Sequence, residues 1–295
     1  MAITKGDTMI QVKEFFDAKT FTLTYVVWDP QTLDAVVIDP VLDYDPGSST
    51  TSKESFHSLM HFLESKAFKV HLILETHAHA DHLTGSQLLK QAFPTAKVTI
   101  NEQIRTVQMV FKDVFDLPSL AVDGSQFDRL LKNGEVVQAG SLSFKVILTP
   151  GHTPACSSFL FEGAVFTGDA LFMPDSGVGR CDFPKGDAST LYESITQNLY
   201  TLPDHTKVYT GHDYQPNGRP VQFESTIGKE KAENIHLNAK TTKSEFVTFR
   251  TERDKKLAAP KLLLPAVQFN IAAGHYPKPH SNGRSYLSIP ISEKA

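Results

Sequence analysis

Between Thr76 and His82 the chain reads Thr-His-Ala-His-Ala-Asp-His, so three imidazoles and one carboxylate fall within six positions directly after the apolar run Val70-His71-Leu72-Ile73-Leu74. Imidazole nitrogens and carboxylate oxygens are the donors that zinc and similar metals take. A strand ending in a loop aims alternate side chains one way, so His77 and His79 can share one ion while Asp81 and His82 turn toward a neighbouring one. A lone histidine is more often a solvated surface group or a satisfied core group. Three at this spacing around an aspartate are a metal site. The spacing does not choose the ion, because imidazole suits zinc, iron, copper and nickel alike.

Three more segments carry residues of the same kind. His152 lies in Thr149-Pro150-Gly151-His152-Thr153-Pro154, Asp169 in Phe166-Thr167-Gly168-Asp169-Ala170, and His212 in Tyr209-Thr210-Gly211-His212-Asp213-Tyr214. Each follows a glycine that closes a β-rich run, and glycine lets the backbone turn sharply and approach a metal. Singly each reads equally well as a turn residue. Together they supply the ligands that the first loop lacks.

The elements that must position these groups alternate between strand and helix periods. Phe21–Trp28 and Asp34–Asp39 are rich in β-formers and flank an Asp29-Pro30 turn, which predicts a hairpin ended by Pro40. A polar stretch over 43–52 leads into a helix near 53–66, where Phe56, Met60 and Leu63 recur at helical spacing. The strand over 70–74 and the histidine loop follow. Helices are expected over 83–92, 101–111, 191–202 and 244–256, and strands over 97–100, 142–148, 157–162, 164–167 and 207–210. Pro118, Gly124 and Gly134 make the stretch 117–134 a loop that would overhang a site. Past residue 235 the pattern weakens into an apolar anchor over 261–265 and an irregular tail.

Global properties narrow the function class. A chain of 295 residues that is 40% hydrophobic, with a formal charge of −4, buries a full core and shows no basic face for nucleic acid. The first residues contain no apolar signal segment, and no run of apolar residues is long enough to span a membrane. A soluble, cytoplasmic protein that binds neither nucleic acid nor membrane is expected. Only Cys156 and Cys181 are present, which gives no Cys-rich zinc module and no disulfide framework.

The full set, Thr76-His77-Ala78-His79-Ala80-Asp81-His82 with His152, Asp169 and His212, resembles the metallo-β-lactamase superfamily over about residues 10–235. The resemblance implies an α/β fold, an αββα sandwich of two mixed sheets with helices on both outer faces and the metal site at one edge. A catalytic domain over 1–235 and a C-terminal helical extension over 236–295 packed on it are expected. Asp169 stands where the commonest zinc β-lactamases place a thiolate, which argues against antibiotic hydrolysis.

Two groups of the superfamily remain close. One is glyoxalase II, hydroxyacylglutathione hydrolase, whose resemblance implies a dinuclear zinc or iron site. There His77, His79 and His152 would hold one ion and Asp81, His82 and His212 the other, with Asp169 bridging. The other is the persulfide dioxygenase group. Asp39-Pro40-Val41-Leu42, Ala80-Asp81-His82-Leu83-Thr84-Gly85, Thr167-Gly168-Asp169-Ala170-Leu171, Gly179-Arg180-Cys181-Asp182-Phe183 and Gly211-His212-Asp213-Tyr214 all look like that group's segments. Met173–Arg180 and the long insertion at 101–131 look like its bacterial branch, often labelled β-lactamase-like hydrolase. With no cysteine after Cys181, a fused rhodanese domain is not expected.

This second resemblance implies a glutathione-dependent sulfur dioxygenase that oxidises glutathione persulfide with O₂ to sulfite and glutathione. One Fe(II) per chain would be held by His77, His152 and Asp169, or zinc, one or two ions, in the alternative. His79, Asp81, His82 and His212 would orient those ligands or hold a second ion. Glutathione carries two carboxylates, so guanidinium and ammonium groups near the mouth are its natural partners. Arg180 is the best placed, Tyr214 offers a hydroxyl, and Lys185, Arg219 and Arg250 are further candidates. Cys181 beside Arg180 is expected to be structural. A homo-oligomer, dimer or tetramer, is expected, with the C-terminal segment wrapping the sandwich or meeting a second subunit.

Overall fold

The computed structural model describes residues 10–291. The first sheet has the spatial order β1 (Gln11–Asp17), β2 (Thr22–Trp28), β3 (Asp34–Ile38), β6 (Lys69–Leu74), β8 (Lys97–Asn101) and β9 (Arg129–Leu131). β4 (Val41–Asp45) lies between β5 (Thr50–Ser52) and β7 (Leu83–Thr84) in a small side sheet. The second large sheet runs β10 (Val136–Ala139), β11 (Leu142–Leu148), β12 (Ser157–Phe161), β13 (Ala164–Phe166), β14 (Lys207–Tyr209) and β15 (Glu224–Thr226). Both mix antiparallel with parallel pairs: β3, β6, β8 and β9 are parallel neighbours in the first sheet, as are β13 and β14 in the second.

Side chains alternate across a strand, and in β3 both faces are used. Val36 and Ile38 face the second sheet and pack with Leu72, Leu74, Phe144, Phe159 and Phe166. Ala35 and Val37 face outward onto α1 (Glu54–Ser65), α2 (Ser86–Ala92) and α3 (Ile104–Val114) through Leu59, Leu89 and Phe111. On the far side Val165 and Val208 pack against α4 (Ala188–Glu193) and α6 (Lys243–Asp254) through Leu191 and Phe246, while α5 (Ile227–Glu233) contributes Ile227. The result is the αββα sandwich. α7 (Leu263–Asn270) lies beneath the histidine loop, with Ala266 and Phe269 against Leu42 and Leu83.

Several expectations shift. The polar stretch 43–52 is mostly the β4–β5 hairpin, and β1 adds an edge strand with no strong sequence signature. Leu83 and Thr84 pair with β4, so the helix expected over 83–92 starts only at Ser86. The helix expected over 191–202 begins at Ala188 and widens into a π-helical turn over Ser194–Leu199. The stretch 117–134 does not overhang the site: it folds back on α3, where Arg105 donates to the Asp123 carbonyl at 2.9 Å, and ends as the edge strand β9. No helix among the described residues is long and apolar enough to cross a membrane.

At the end of β3 remote from the histidine loop, Asp34 ties the sheets together. Its Oδ1 is 2.7 Å from His71 Nε2 on β6, and its Oδ2 accepts from Ser141 N in the β10–β11 turn at 2.9 Å. Burial pushes its carboxyl upward, but the bonds from His71 and Ser141 prevail and lower it to about 2. A carboxyl depressed in the folded state stabilises above its unfolded value, near 3.9, and that stability is lost as pH falls toward 2. Asp34→Asn should therefore destabilise by about 1–2 kcal/mol at pH 7. Denaturant titrations should show the difference narrowing as pH falls below about 4 and closing near pH 2, where the wild-type carboxyl also gains its proton.

Candidate metal centre

The parallel strands β3 and β6 end side by side, and the residues just beyond them meet first. Asp39, held at φ 50°, accepts from Thr76 N and Thr76 Oγ1, both at 2.7 Å. Having given its proton to Asp39, Thr76 Oγ1 can accept from His77 Nδ1 at 3.0 Å, which leaves His77 Nε2 bare and pointing into the site. Asp39 Oδ1 also lies 3.0 Å from His79 Nε2. One carboxylate thus joins two strand ends and two imidazoles.

The second sheet supplies the opposite wall. His152, in the β11–β12 loop, donates from Nδ1 to the Arg180 carbonyl at 2.6 Å, which turns its Nε2 inward to 3.6 Å from Asp169 Oδ2. His77 Nε2 is 3.9 Å from the same oxygen. His212, beyond β14, donates from Nδ1 to the Phe21 carbonyl at 3.2 Å, with its Nε2 3.3 Å from Asp169 Oδ1 and 3.2 Å from Asp81 Oδ2. Two of the glycines are sterically required. Gly168 has φ 49°, and a Cβ there would fall 2.6 Å from Thr76 Oγ1; a Cβ on Gly211 would fall 2.8 Å from Asp169 Oδ1.

The electrostatics favour a cation. Burial, reinforced by the neighbouring imidazole, holds His77 and His79 well below the usual histidine range, so both rings are neutral with lone pairs available. Burial opposes ionisation of Asp81, yet His212 and His82 hold its carboxyl well below the ordinary value. His77 Nε2, His79 Nδ1, His82 Nε2, His212 Nε2 and Asp169 Oδ1 are buried with no hydrogen-bond partner. So many unsatisfied buried donors and acceptors in one place are costly unless a metal completes them.

Ligand atoms converge in sets lying within 4.8 Å of one another: His77, His152 and Asp169 form one, and His79, Asp81 and His82 another beside it. The residues therefore fit one ion or two. A third set, Asp39, Glu75 and His79, lies behind the site. Glu75 is buried and pushed up to about 8 by burial and by Asp39. In the sequence Asp39 stands out only as the first residue of Asp39-Pro40-Val41-Leu42, the segment that looks like the persulfide dioxygenase group's. Glu75, Thr22 and Asn270, which also touch the loop, carry no such signal.

A cavity of about 880 Å³ opens onto Asp81, His152 and Asp169. Phe21, Phe172 and Tyr214 form an aromatic wall, and the Tyr214 ring stacks on His212 at 5.5 Å. Arg180 lines the cavity, but its guanidinium is engaged bidentately by Asp182, at 2.6 Å for each bond, and by the Ala258 carbonyl. Arg250 is buried, paired with Asp254 and donating to the Val178 carbonyl. Arg219 is taken up by Asp175 and Asp213, and Lys185 sits in an exposed turn away from the cavity lining. Lys19, Arg253 and Lys261 also reach the cavity; Lys19 lies 4.0 Å from Asp43, while among the described residues the Arg253 and Lys261 side chains have no hydrogen bond or ion pair. Cys181 is buried with its thiol pushed up, first by burial, which suits a structural role.

Two layered sheets with a His/Asp-rich site at one edge define a metal-dependent fold. The chain belongs to the metallo-β-lactamase superfamily, whose family model matches residues 19–212. A probable metallo-hydrolase of Burkholderia pseudomallei is 44% identical over 291 residues, 95% of this chain and 98% of that protein. Human mitochondrial persulfide dioxygenase ETHE1 is 31% identical over 267 residues, 90% of this chain and 89% of that protein. Among solved structures, ETHE1 from Myxococcus xanthus superposes with a TM-score of 0.71 at 33% identity, over 90% of this chain and 100% of that one.

Asp169 is a member of the His77 and His152 set, whereas His212 belongs to neither set and lies between Asp81 and Asp169. Metal analysis after dialysis should find that Asp169→Ala no longer retains a tightly bound ion. His212→Ala should retain the ion held by the His77 group, with at most about a tenfold weaker affinity.

Proposed function

We propose that this protein is a glutathione-dependent persulfide dioxygenase using one Fe(II) per chain. The observation that carries the reading is the convergence of His77 Nε2, His152 Nε2 and an Asp169 oxygen as a two-histidine, one-carboxylate set. Similarity to ETHE1 proteins across most of both chains supports it. Ferrous iron, when bound, supplies a redox-active centre with open positions for two small molecules. Glutathione persulfide, O₂ and water would give glutathione, sulfite and two protons, so that four electrons pass from the outer sulfur to O₂.

The chain's own groups divide the remaining work. The Arg180 carbonyl fixes the His152 tautomer, Thr76 and Asp39 fix that of His77, and the aromatic wall would offer an apolar face beside the reacting sulfur. Tyr214 offers a hydroxyl at the mouth. Arg180 and Arg250 brace the walls, and the carboxylates of glutathione would instead meet Arg253 and Lys261, whose charges have no partner among the described residues. Replacing both with Glu should raise KM for glutathione persulfide by about tenfold with little change in kcat, the signature of lost ground-state binding.

The intact second group, His79, Asp81 and His82 with His212, favours one alternative: a dinuclear glutathione thioesterase, in keeping with the metallo-hydrolase name of the Burkholderia relative. Protein purified without oxygen separates the two. One iron per chain, and O₂ uptake with glutathione persulfide that disappears in His77→Ala, His152→Ala or Asp169→Ala, is the expected result. Two zincs per chain, with oxygen-independent thioester cleavage, would overturn the dioxygenase reading. A cytoplasmic homo-oligomer acting on a persulfide formed elsewhere fits this role.

A further inference from the structure

We infer that Asn270, in the C-terminal helix α7, is a positioning residue of the metal centre, which makes the segment beyond residue 235 a functional part of that centre. Its side-chain amide is buried and fully used. Nδ2 donates to the main-chain carbonyls of His79 and His82, both at 2.8 Å, and Oδ1 accepts from Thr84 N at 2.9 Å. One residue therefore satisfies three backbone groups of the loop that carries His79, Asp81 and His82.

The chemistry of the contact is specific to an amide. Two acceptors and one donor must be met from one direction, which requires two N–H groups and one oxygen. Aspartate has no donor, serine has one, and leucine has neither. The clasp also continues inward. Thr84 and Ser86 each donate from a side-chain oxygen to Glu75 Oε1 at 2.5 Å, and Glu75 Oε2 lies 3.6 Å from His79 Nε2. His79 is thus held from its carbonyl by Asn270 and faced at its ring by Asp39 and Glu75.

The helix that presents Asn270 is also anchored outside the metal loop, through Leu42 and two glutamines. Leu262, Ala266 and Phe269 pack with Leu42 and Leu83. Gln108 on α3 donates to the Ile271 carbonyl at 2.9 Å, and Gln87 on α2 donates to the Ala273 carbonyl at 2.8 Å. Gln268, two residues before Asn270, bonds the Ser288 carbonyl and amide at 2.7 and 2.9 Å and so serves tail packing alone. It provides a control from the same helix. The inference holds for either reading of the chemistry, because both need the loop fixed.

The test titrates metal-free protein with Co²⁺ against a chelator of known affinity, following the visible cobalt spectrum, and measures thermal unfolding of the metal-free chain alongside. Asn270→Ala and Asn270→Asp should weaken cobalt binding by about 10–100-fold and alter its spectrum. Gln268→Ala should lower the unfolding temperature while leaving affinity and spectrum as in the wild type. Asn270→Ser, which keeps one donor and one acceptor, should fall between wild type and alanine and provides the measurement should the alanine chain not fold. Cobalt affinity within twofold of wild type in the Asp or Ser variant, or an equal loss in Gln268→Ala, would overturn the inference.

Discussion

Everything in this molecule is arranged around the cost of holding four imidazoles in the dark with their lone pairs unmet. Placing a polar group in a low-dielectric interior without a partner costs on the order of 1–3 kcal/mol. Here several such atoms lie within one small space, beside carboxylates that are equally desolvated. Only rigid surroundings can keep them from collapsing onto one another or drawing back to solvent. The two sheets supply that rigidity, with strand ends fixed by ladder bonds on both sides and by apolar layers above and below.

Orientation follows the same logic at three of the rings. The inward nitrogen is bare because the opposite nitrogen is bonded: by Thr76, itself held by Asp39, for His77, by the Arg180 carbonyl for His152, and by the Phe21 carbonyl for His212. Two of these partners are main-chain atoms. The ring direction at those positions is therefore set by the path of the backbone, and side-chain variation at residues 180 and 21 remains free to tune the cavity.

How much of this can be read from the chain depends on whether the determinant is local. His77, His79, Asp81 and His82 sit within one loop, and Gly151, Gly168 and Gly211 mark the other three strand ends, so composition and turn chemistry expose all seven groups. The runs of Val and Ile in β3 and β6 announce strands buried on both faces. The edge strand β1 is half-buried and mixes charged with apolar residues, and the outer part of the β4–β5 hairpin is polar and exposed, so nothing in their pattern separates them from loop. The same limit hid the state of the cations. Arg180, Arg250 and Arg219 were candidates by charge and position, but whether a guanidinium is free depends on Asp182, Asp254 and Asp213, and a charge count does not reveal pairing between side chains brought together by the fold. Asn270 was invisible for the same reason: an asparagine in an apolar helix has no meaning until its 2.8 Å partners nearly two hundred residues earlier are known.

The division of the ligands between the two sheets has a consequence for how the protein acquires its ion. His77 belongs to the first sheet and His152 and Asp169 to the second, so neither half alone offers the two-histidine, one-carboxylate set. The first sheet alone brings together only His79, Asp81 and His82. The complete set exists after the apolar faces have docked, when distances and tautomers are already imposed. An ion held by the His77, His152 and Asp169 set would therefore brace one layer against the other and add its binding energy to the docking of the two sheets.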